Sequence, residues 1–402
     1  MRNVNHSWVL CAAIAAAFPA TSVSAGVVNN VLTQWRGHAD KCEDPRQLDM
    51  EAMVNVAMFE AINAVTPKYT PYTKVIKAPE GSSAQAAAAR AAHDVLVLVC
   101  ADQKGMFEAA LKTSLEAVTD KAARANGEKV GMEAAAAVIA ARADSNAEGK
   151  DPVNRPQTPG AYVQTTPYIG MVVAKQTPWI MTSPDEMRPA PPVALDSEIW
   201  ARDFNEVRTL GAKNAKDRTA EQTDIGEFWA GRSVRIVLNQ FIGRPGRSLV
   251  DDARFLALAE MAWADSYVSM MDGKYHYNFW RPVTAIRNAE TDGNDATAPD
   301  TQWEAMVTTP WHPEYPCGHC LSAGAVGAVI EQEFGSSSPP IVLEMEDALL
   351  RRYDTPQEYI DDVSESRILA GVHYRFSMEA GRKAGIEIGN VAAKRYFTPL
   401  KR

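Results

Sequence analysis

Apolar positions recur with a helical period along almost the whole chain, and this pattern predicts a mainly helical protein. Across residues 50–65, Val54, Met58, Ile62 and Val65 fall on one helical face. Ser82 and Ser83 offer side-chain caps for an alanine-rich helix that runs to Cys100, and a further helix is expected over 120–144. Nine prolines between Pro152 and Pro192 then break the pattern, because each lacks an N–H and fixes its backbone. Tyr162, Tyr168, Met171 and Trp179 are interspersed there as candidate anchors, so this stretch reads as a long ordered loop. Helices resume at about 197–210, 220–230 and 248–271. A Gly/Asp/Thr loop covers about 290–316, and a small-residue helix leads from His319 to Phe334, stopped by Gly-Ser-Ser-Ser-Pro-Pro at 335–340. The last helices are expected over 356–376 and 378–396. No strand-rich region and no fixed-period repeat is visible.

The N-terminus changes the picture of location. Arg2, the apolar run Trp8 to Phe18 and the small residues Val23-Ser24-Ala25 have the layout of a secretory signal, with a mature chain starting near Gly26. A periplasmic or secreted protein follows as the expectation. No later stretch approaches the roughly 18 apolar residues of a membrane-spanning helix, so no integral membrane segment is expected. A formal net charge of −9 without basic runs argues against a nucleic-acid partner. Any anion site must therefore rest on a local cluster of positive charge. Outside the signal the cysteines are Cys42, Cys100, Cys317 and Cys320, which allow three pairings. The close spacing of the last two favours Cys42–Cys100 with Cys317–Cys320.

Three short segments carry the candidate chemistry. The first runs from Lys274 to Arg281-Pro282; two cations seven residues apart share a helical face, about 10 Å apart along the axis if the segment is helical. A planar guanidinium and a point-charge ammonium could converge there on one oxyanion. The second is His312-Pro-Glu-Tyr-Pro-Cys317-Gly318-His319, leading into a helix. Glycine allows close backbone approach, a helix start supplies free N–H groups, and His319 would stand beside the anion as acid or base. The third is Ser366-Arg367 with His373 six residues on. Those two lie about 120° apart on a straight helix, so they meet one ligand only if Arg367 reaches around or the helix bends near Gly371. Each segment alone also suits an ordinary surface pair, a capped turn or an amphipathic helix; their joint order is what points to a site.

This three-part pattern resembles the signature of vanadium-dependent haloperoxidases and type-2 phosphatidic acid phosphatases, most closely the soluble haloperoxidase branch. The likeness extends through 274–287, 312–319 and 366–376, and also takes in 53–65 and Phe228-Trp229-Ala230. It implies an all-α fold of helical bundles with the site in the bundle core, a single domain over 26–402, and its motif-bearing half at about 246–396. It further implies that Lys274, Arg281 and Arg367 neutralise the equatorial oxygens of vanadate, or of phosphate as substrate or inhibitor. His373 would bond vanadium or attack phosphorus, Gly318 would donate its N–H, and His319 would face the opposite apical oxygen. His312 matches a position where bromide-using relatives carry His, and Lys274 would polarise peroxide for attack by halide. The implied reaction is halide oxidation by hydrogen peroxide; a soluble acid phosphatase acting on phosphomonoesters is the alternative. Two positions depart from the family. Cys317 replaces the usual serine, weakening a donor to the oxyanion. Ser377 replaces the usual aspartate, removing the expected carboxylate for orienting His373. A remoter reading takes Cys317-Gly-His-Cys320 as the C-G-H-C of a thiol–disulfide oxidoreductase, although that motif normally follows a strand. A degenerate oxyanion-binding protein completes the alternatives.

Overall fold

The computed structural model describes residues 30–42, 47–143, 145, 158–163, 170–343 and 351–401. The secretory-signal expectation and Tyr168 lie outside the described residues. The helices are α1 (Val31–Ala39), α2 (Gln47–Val65), α3 (Ala84–Val99), α4 (Lys104–Glu116), α5 (Lys121–Ala141), α6 (Glu198–Leu210), α7 (Ala220–Phe228) and α8 (Leu249–Tyr277). After these come α9 (Pro282–Arg287), α10 (Gly318–Phe334), α11 (Pro356–Leu369) and α12 (Arg375–Arg395). A small antiparallel hairpin, β1 (Ile341–Leu343) on β2 (Arg351–Tyr353), pairs Ile341 with Tyr353. Among the described residues, no single helix is long and apolar enough to cross a membrane.

α8 is the central strut. Ser248 caps it in a reciprocal box with Asp251, and its 29 residues are buried on nearly every face, as expected of a helix apolar all round. α2, α10 and α12 pack against it, while α3 and α5 pair on the outer side of α2. Small residues set how close the partners come. A Cβ at Gly385 of α12 would collide with the Leu321 carbonyl of α10, and one at Gly131 of α5 with the Ala87 carbonyl of α3. The same seam continues to Gly381, whose missing side chain makes room for the Cys317 carbonyl. The α10–α12 contact thus holds the head of α10 in place.

The proline-rich stretch is ordered where it is described. Asp265 on α8 is fully buried and accepts three backbone N–H groups, from Trp179 (2.6 Å), Ile180 (2.8 Å) and Met181 (2.9 Å). Arg142 ties the same stretch through the carbonyls of Thr177 and Pro178. Tyr162, Met171 and Trp179 are buried as the sequence suggests.

Two expectations need correction. Lys274 and Arg281 do not share a helix: α8 ends at Tyr277, Asn278 turns left-handed (φ 51°), and Arg281 caps the separate helix α9, with Pro282 in its first turn. Nor does one helix run to residue 376. α11 stops at Leu369, and Gly371 takes φ 77°, a value glycine accepts without strain. α12 starts only at Arg375, two residues beyond His373.

Overpacking the helix seam is expected to cost about 1–3 kcal/mol for Gly385→Ala. Gly37→Ala in α1, where a Cβ meets nothing within 4 Å, is expected to add about 0.5–1 kcal/mol through helix propensity. Urea unfolding midpoints check this; equal effects at the two positions would refute the close-approach account.

Candidate active site

Helix ends deliver the three segments to one buried compartment. Lys274 comes from the last turn of α8 and is fully buried. Its ammonium donates to the carbonyls of Pro313 (2.9 Å), Glu314 (2.6 Å) and Pro316 (2.7 Å), which uses all three of its protons. The 312–317 loop is thereby wrapped around the lysine, with a cis bond at Tyr315–Pro316. Arg281 reaches in from the head of α9. Its Nε donates to the His312 carbonyl (3.0 Å) and one terminal nitrogen to the Val372 carbonyl (2.8 Å). That nitrogen also lies 3.3 Å from His373 Nε2, and the other lies 3.0 Å from His312 Nδ1.

Cys317 caps α10, and Gly318 and His319 form its first turn, where backbone N–H groups lack intrahelical acceptors. A Cβ on Gly318 would press on the Met270 side chain of α8, so glycine lets the turn sit this close without moving that side chain. Arg367 enters from the last turn of α11, 3% exposed. One of its terminal nitrogens makes a long 3.4 Å contact to the Trp229 carbonyl, and its buried Nε has no partner. The break after Leu369 brings His373 around to the same compartment, which resolves the 120° offset expected of a straight helix.

Electrostatics follow from burial. Burial holds Lys274 well below the ordinary lysine value, helped by the nearby Arg281 charge. Burial likewise lowers Arg281 to about 10, and burial with the Arg281 charge lowers Arg367 to about 10. His319 is lowered to about 3 by burial and then by Arg367, against the opposing pull of a hydrogen bond to the Arg232 backbone. His312 and His373 are also pushed well down, by burial first and the surrounding cations second. The three histidines are therefore held towards their neutral forms, and the cage sets three basic side chains against one carboxylate.

That carboxylate is Glu314, which sequence reasoning missed. It is fully buried, its Oε1 lies 2.6 Å from His373 Nδ1, and it also accepts the Tyr374 N–H (3.2 Å). Burial pushes it up to about 7, although Lys274 and Arg281 pull the other way. Its position inside the His312–His319 segment was the one available signal, but no periodicity marks a loop glutamate as buried. The expectation that Ser377 leaves His373 without a carboxylate is thus corrected: Glu314 supplies one from a different element.

Cys317 also needs correction as an oxyanion donor. It is disulfide-bonded to Cys320, and Cys42 to Cys100, the pairing favoured from spacing. The Cys317 sulfur carries no proton and instead accepts the Cys320 N–H (3.3 Å). Both sulfurs of this pair are buried at the head of a helix, with no strand before them and no exposed attacking thiol. Among the described residues, no three of His, Cys, Asp or Glu are grouped to hold a metal cation. An oxyanion, by contrast, suits the buried positive charge and the unpartnered Arg367 Nε.

Phosphate and vanadate should therefore compete for this compartment and stabilise the fold. At a concentration a hundred times Kd the gain is about 2.7 kcal/mol. Arg367→Ala and His373→Ala should each weaken both anions in calorimetric titration; unchanged affinity in both variants would place the anion elsewhere.

Comparison with known proteins agrees with this layout. Residues 254–401 match the family model for the second helical-bundle domain of vanadium chloroperoxidase (VCPO). A vanadium chloroperoxidase of Curvularia inaequalis is 24% identical over 234 residues, covering 42% of this chain and 38% of that relative. The match thus spans well under half of the relative's length. A crystal structure of a bacterial vanadium-dependent iodoperoxidase superposes with a TM-score of 0.74 at 21% identity, over 92% of this chain and 97% of that one. A bacterial vanadium-dependent chloroperoxidase in its holo form gives 0.69 at 17% identity, over 88% and 91%. At these identities the superpositions establish the fold, a VCPO-type helical bundle. Residues 254–401 therefore match the second helical-bundle domain of vanadium chloroperoxidase, and the chain shares its fold with these two peroxidase structures.

Proposed function

We propose that this protein is an exported, vanadate-dependent peroxidase that oxidises halide with hydrogen peroxide. The observation that carries the reading is the compartment itself: three buried cations against a single carboxylate, with the Arg367 Nε unpartnered. The relatives' names supply the chemistry of vanadium, peroxide and halide. The two disulfides fit a protein that matures outside the reducing cytoplasm.

Arg281 and Arg367 would hold the oxyanion through charge-assisted hydrogen bonds. Lys274 would join them by giving up one of its three carbonyl partners. Gly318 would add its N–H at the positive end of α10. His373 would present Nε2, because Glu314 takes the proton side of the ring at Nδ1. When bound, vanadate supplies a pentavalent Lewis acid that activates peroxide without itself changing oxidation state. His319, neutral above its depressed value, would accept the proton that peroxide must lose. His312 hydrogen-bonds Arg281 at the partly exposed edge of the cage, a place where halide could be met.

The decisive assay gives the purified protein bromide or iodide with peroxide, and separately a phosphomonoester, each with and without added vanadate. Vanadate-dependent halide oxidation is expected; phosphomonoester cleavage that vanadate inhibits would favour the phosphatase reading. Burial and Arg367 hold the free His319 base near 3, so it stays unprotonated as pH falls through the ordinary histidine range. In the anion-free protein His319 should accordingly stay unprotonated well below pH 6.5 in a histidine NMR titration; protonation at pH 6–7 there would argue against His319 as the base.

Cys317→Ser should raise turnover. It frees position 317 from the disulfide and puts a hydroxyl where a sulfur without a proton now stands, worth about 1.5–3 kcal/mol for a hydrogen bond to a charged group. Loss of every activity in that variant, with the fold intact by circular dichroism, would make the cysteine pair itself the catalyst.

A further inference from the structure

His373 is gripped from two sides. Glu314 Oε1 lies 2.6 Å from Nδ1, and an Arg281 terminal nitrogen lies 3.3 Å from Nε2. A carboxylate accepts and a guanidinium donates, so the only tautomer that satisfies both carries its proton on Nδ1 and its lone pair on Nε2. The glutamate cannot drift. It is fully buried, takes the Tyr374 N–H as a second donor, and belongs to the loop that Lys274 ties through three carbonyls.

Ser377 forms the facing wall. It stands in the first turn of α12, four residues after His373, and is fully buried. Its carbonyl accepts the Cys317 N–H (3.3 Å), which fixes this turn against the head of α10. Its hydroxyl and Glu314 Oε2 are both buried without a hydrogen-bond partner. Other buried carboxylates of the region are committed elsewhere. Asp203 accepts the Phe376 N–H (2.7 Å) and pairs with Arg202, and Asp292 holds Trp200 Nε1 (2.8 Å) and Thr297.

We infer that Glu314 is the positioning residue for His373, and that positions 314 and 377 form one transposable pair with room for a single carboxylate. Here the acid stands on the loop and the hydroxyl on the helix. An acid at 377 could reach the same imidazole from α12, provided 314 becomes small. Two acids together would leave like charges side by side in a dry compartment. The pair is thus coupled, and its substitutions are non-additive. This inference rests on the proposed function only in taking His373 as the residue that meets the oxyanion.

The test uses full-length protein carrying Glu314→Ser, Ser377→Asp, both together, or Glu314→Gln. Nitrogen-15 NMR of histidine-labelled protein reads the His373 tautomer, thermal melting reads the fold, and calorimetry with inorganic phosphate and with vanadate reads the site. The wild type and Glu314→Gln should show one tautomer protonated at Nδ1, because glutamine keeps an acceptor there. Glu314→Ser should lose that signature and bind both anions at least about tenfold more weakly, the equivalent of one lost charge-assisted hydrogen bond. Ser377→Asp alone should melt lower than the wild type. The double variant should recover the tautomer, and bring melting temperature and affinity closer to wild type than either single change does. A double variant no better than Glu314→Ser, or a Ser377→Asp protein indistinguishable from wild type, overturns the inference. If the wild type binds neither anion the functional reading fails, while the tautomer and melting comparison still decides the pair.

Discussion

A buried charge costs several kcal/mol unless it is paired, and removing one partner of a buried pair is costlier still. This chain buries Lys274, Arg281 and Arg367 within electrostatic reach of one another and sets a single carboxylate, Glu314, against them. Everything around the compartment answers that imbalance. Lys274 spends its three protons on loop carbonyls, Arg281 makes four contacts to two backbone carbonyls and two histidines, and the three neighbouring histidines are held towards their neutral forms. The backbone thus solvates what counter-charges do not. A carbonyl is a dipole, however, and an anion delivering full negative charge remains the better partner.

A second buried ionic cluster shows what balance looks like in the same fold. Arg36 of α1 and Arg235, just before α8, meet Glu51 of α2 and Glu260 of α8, with Asn55 and Asn239 alongside. Two cations face two carboxylates there, and the half-exposed Asp40 adds a third acid at the edge. Burial still pushes Glu51 up to about 8, against the pull of the arginines. Such a cluster needs no ligand; it fixes the register of α1, α2 and α8. The two clusters sit on one long helix, Glu260 near its middle and Lys274 at its end. One closes its charges within the protein, and the other leaves a positive remainder.

How much of this was legible in the sequence differs by kind of feature. Helices apolar on one face were visible from periodicity, and Ser83 and the run after Phe334 marked ends that the structure keeps. The three cationic segments were visible as motifs. Their geometry was not, because it depends on breaks: the left-handed turn at Asn278 and the stop at Leu369 with Gly371 beyond it. Residue spacing measures distance only along an unbroken helix, so the Lys274–Arg281 and Arg367–His373 offsets misled in opposite ways. Glu314 lay in plain view, but burial of a loop carboxylate is decided by Lys274 drawing in the loop that carries it. That is a long-range contact with no local signature.

The same geometry explains why the cage alone leaves two chemistries open. Phosphate and vanadate are both tetrahedral oxyanions, and Arg281, Arg367 and the head of α10 read only charge and hydrogen-bond acceptors. Attack on phosphorus and ligation of vanadium both require the same thing of His373, a lone pair on Nε2 directed into the cage. The grip of Glu314 on Nδ1 supplies it in either case. What separates the reactions must lie at the open side, where His319 and His312 are partly exposed beside the exposed Trp311. A phosphatase needs room there for a leaving group and a proton for it. A peroxidase needs a base that stays unprotonated and an edge that admits a halide. The depression of His319 to about 3 makes it a poor proton donor and a persistent acceptor in the free protein.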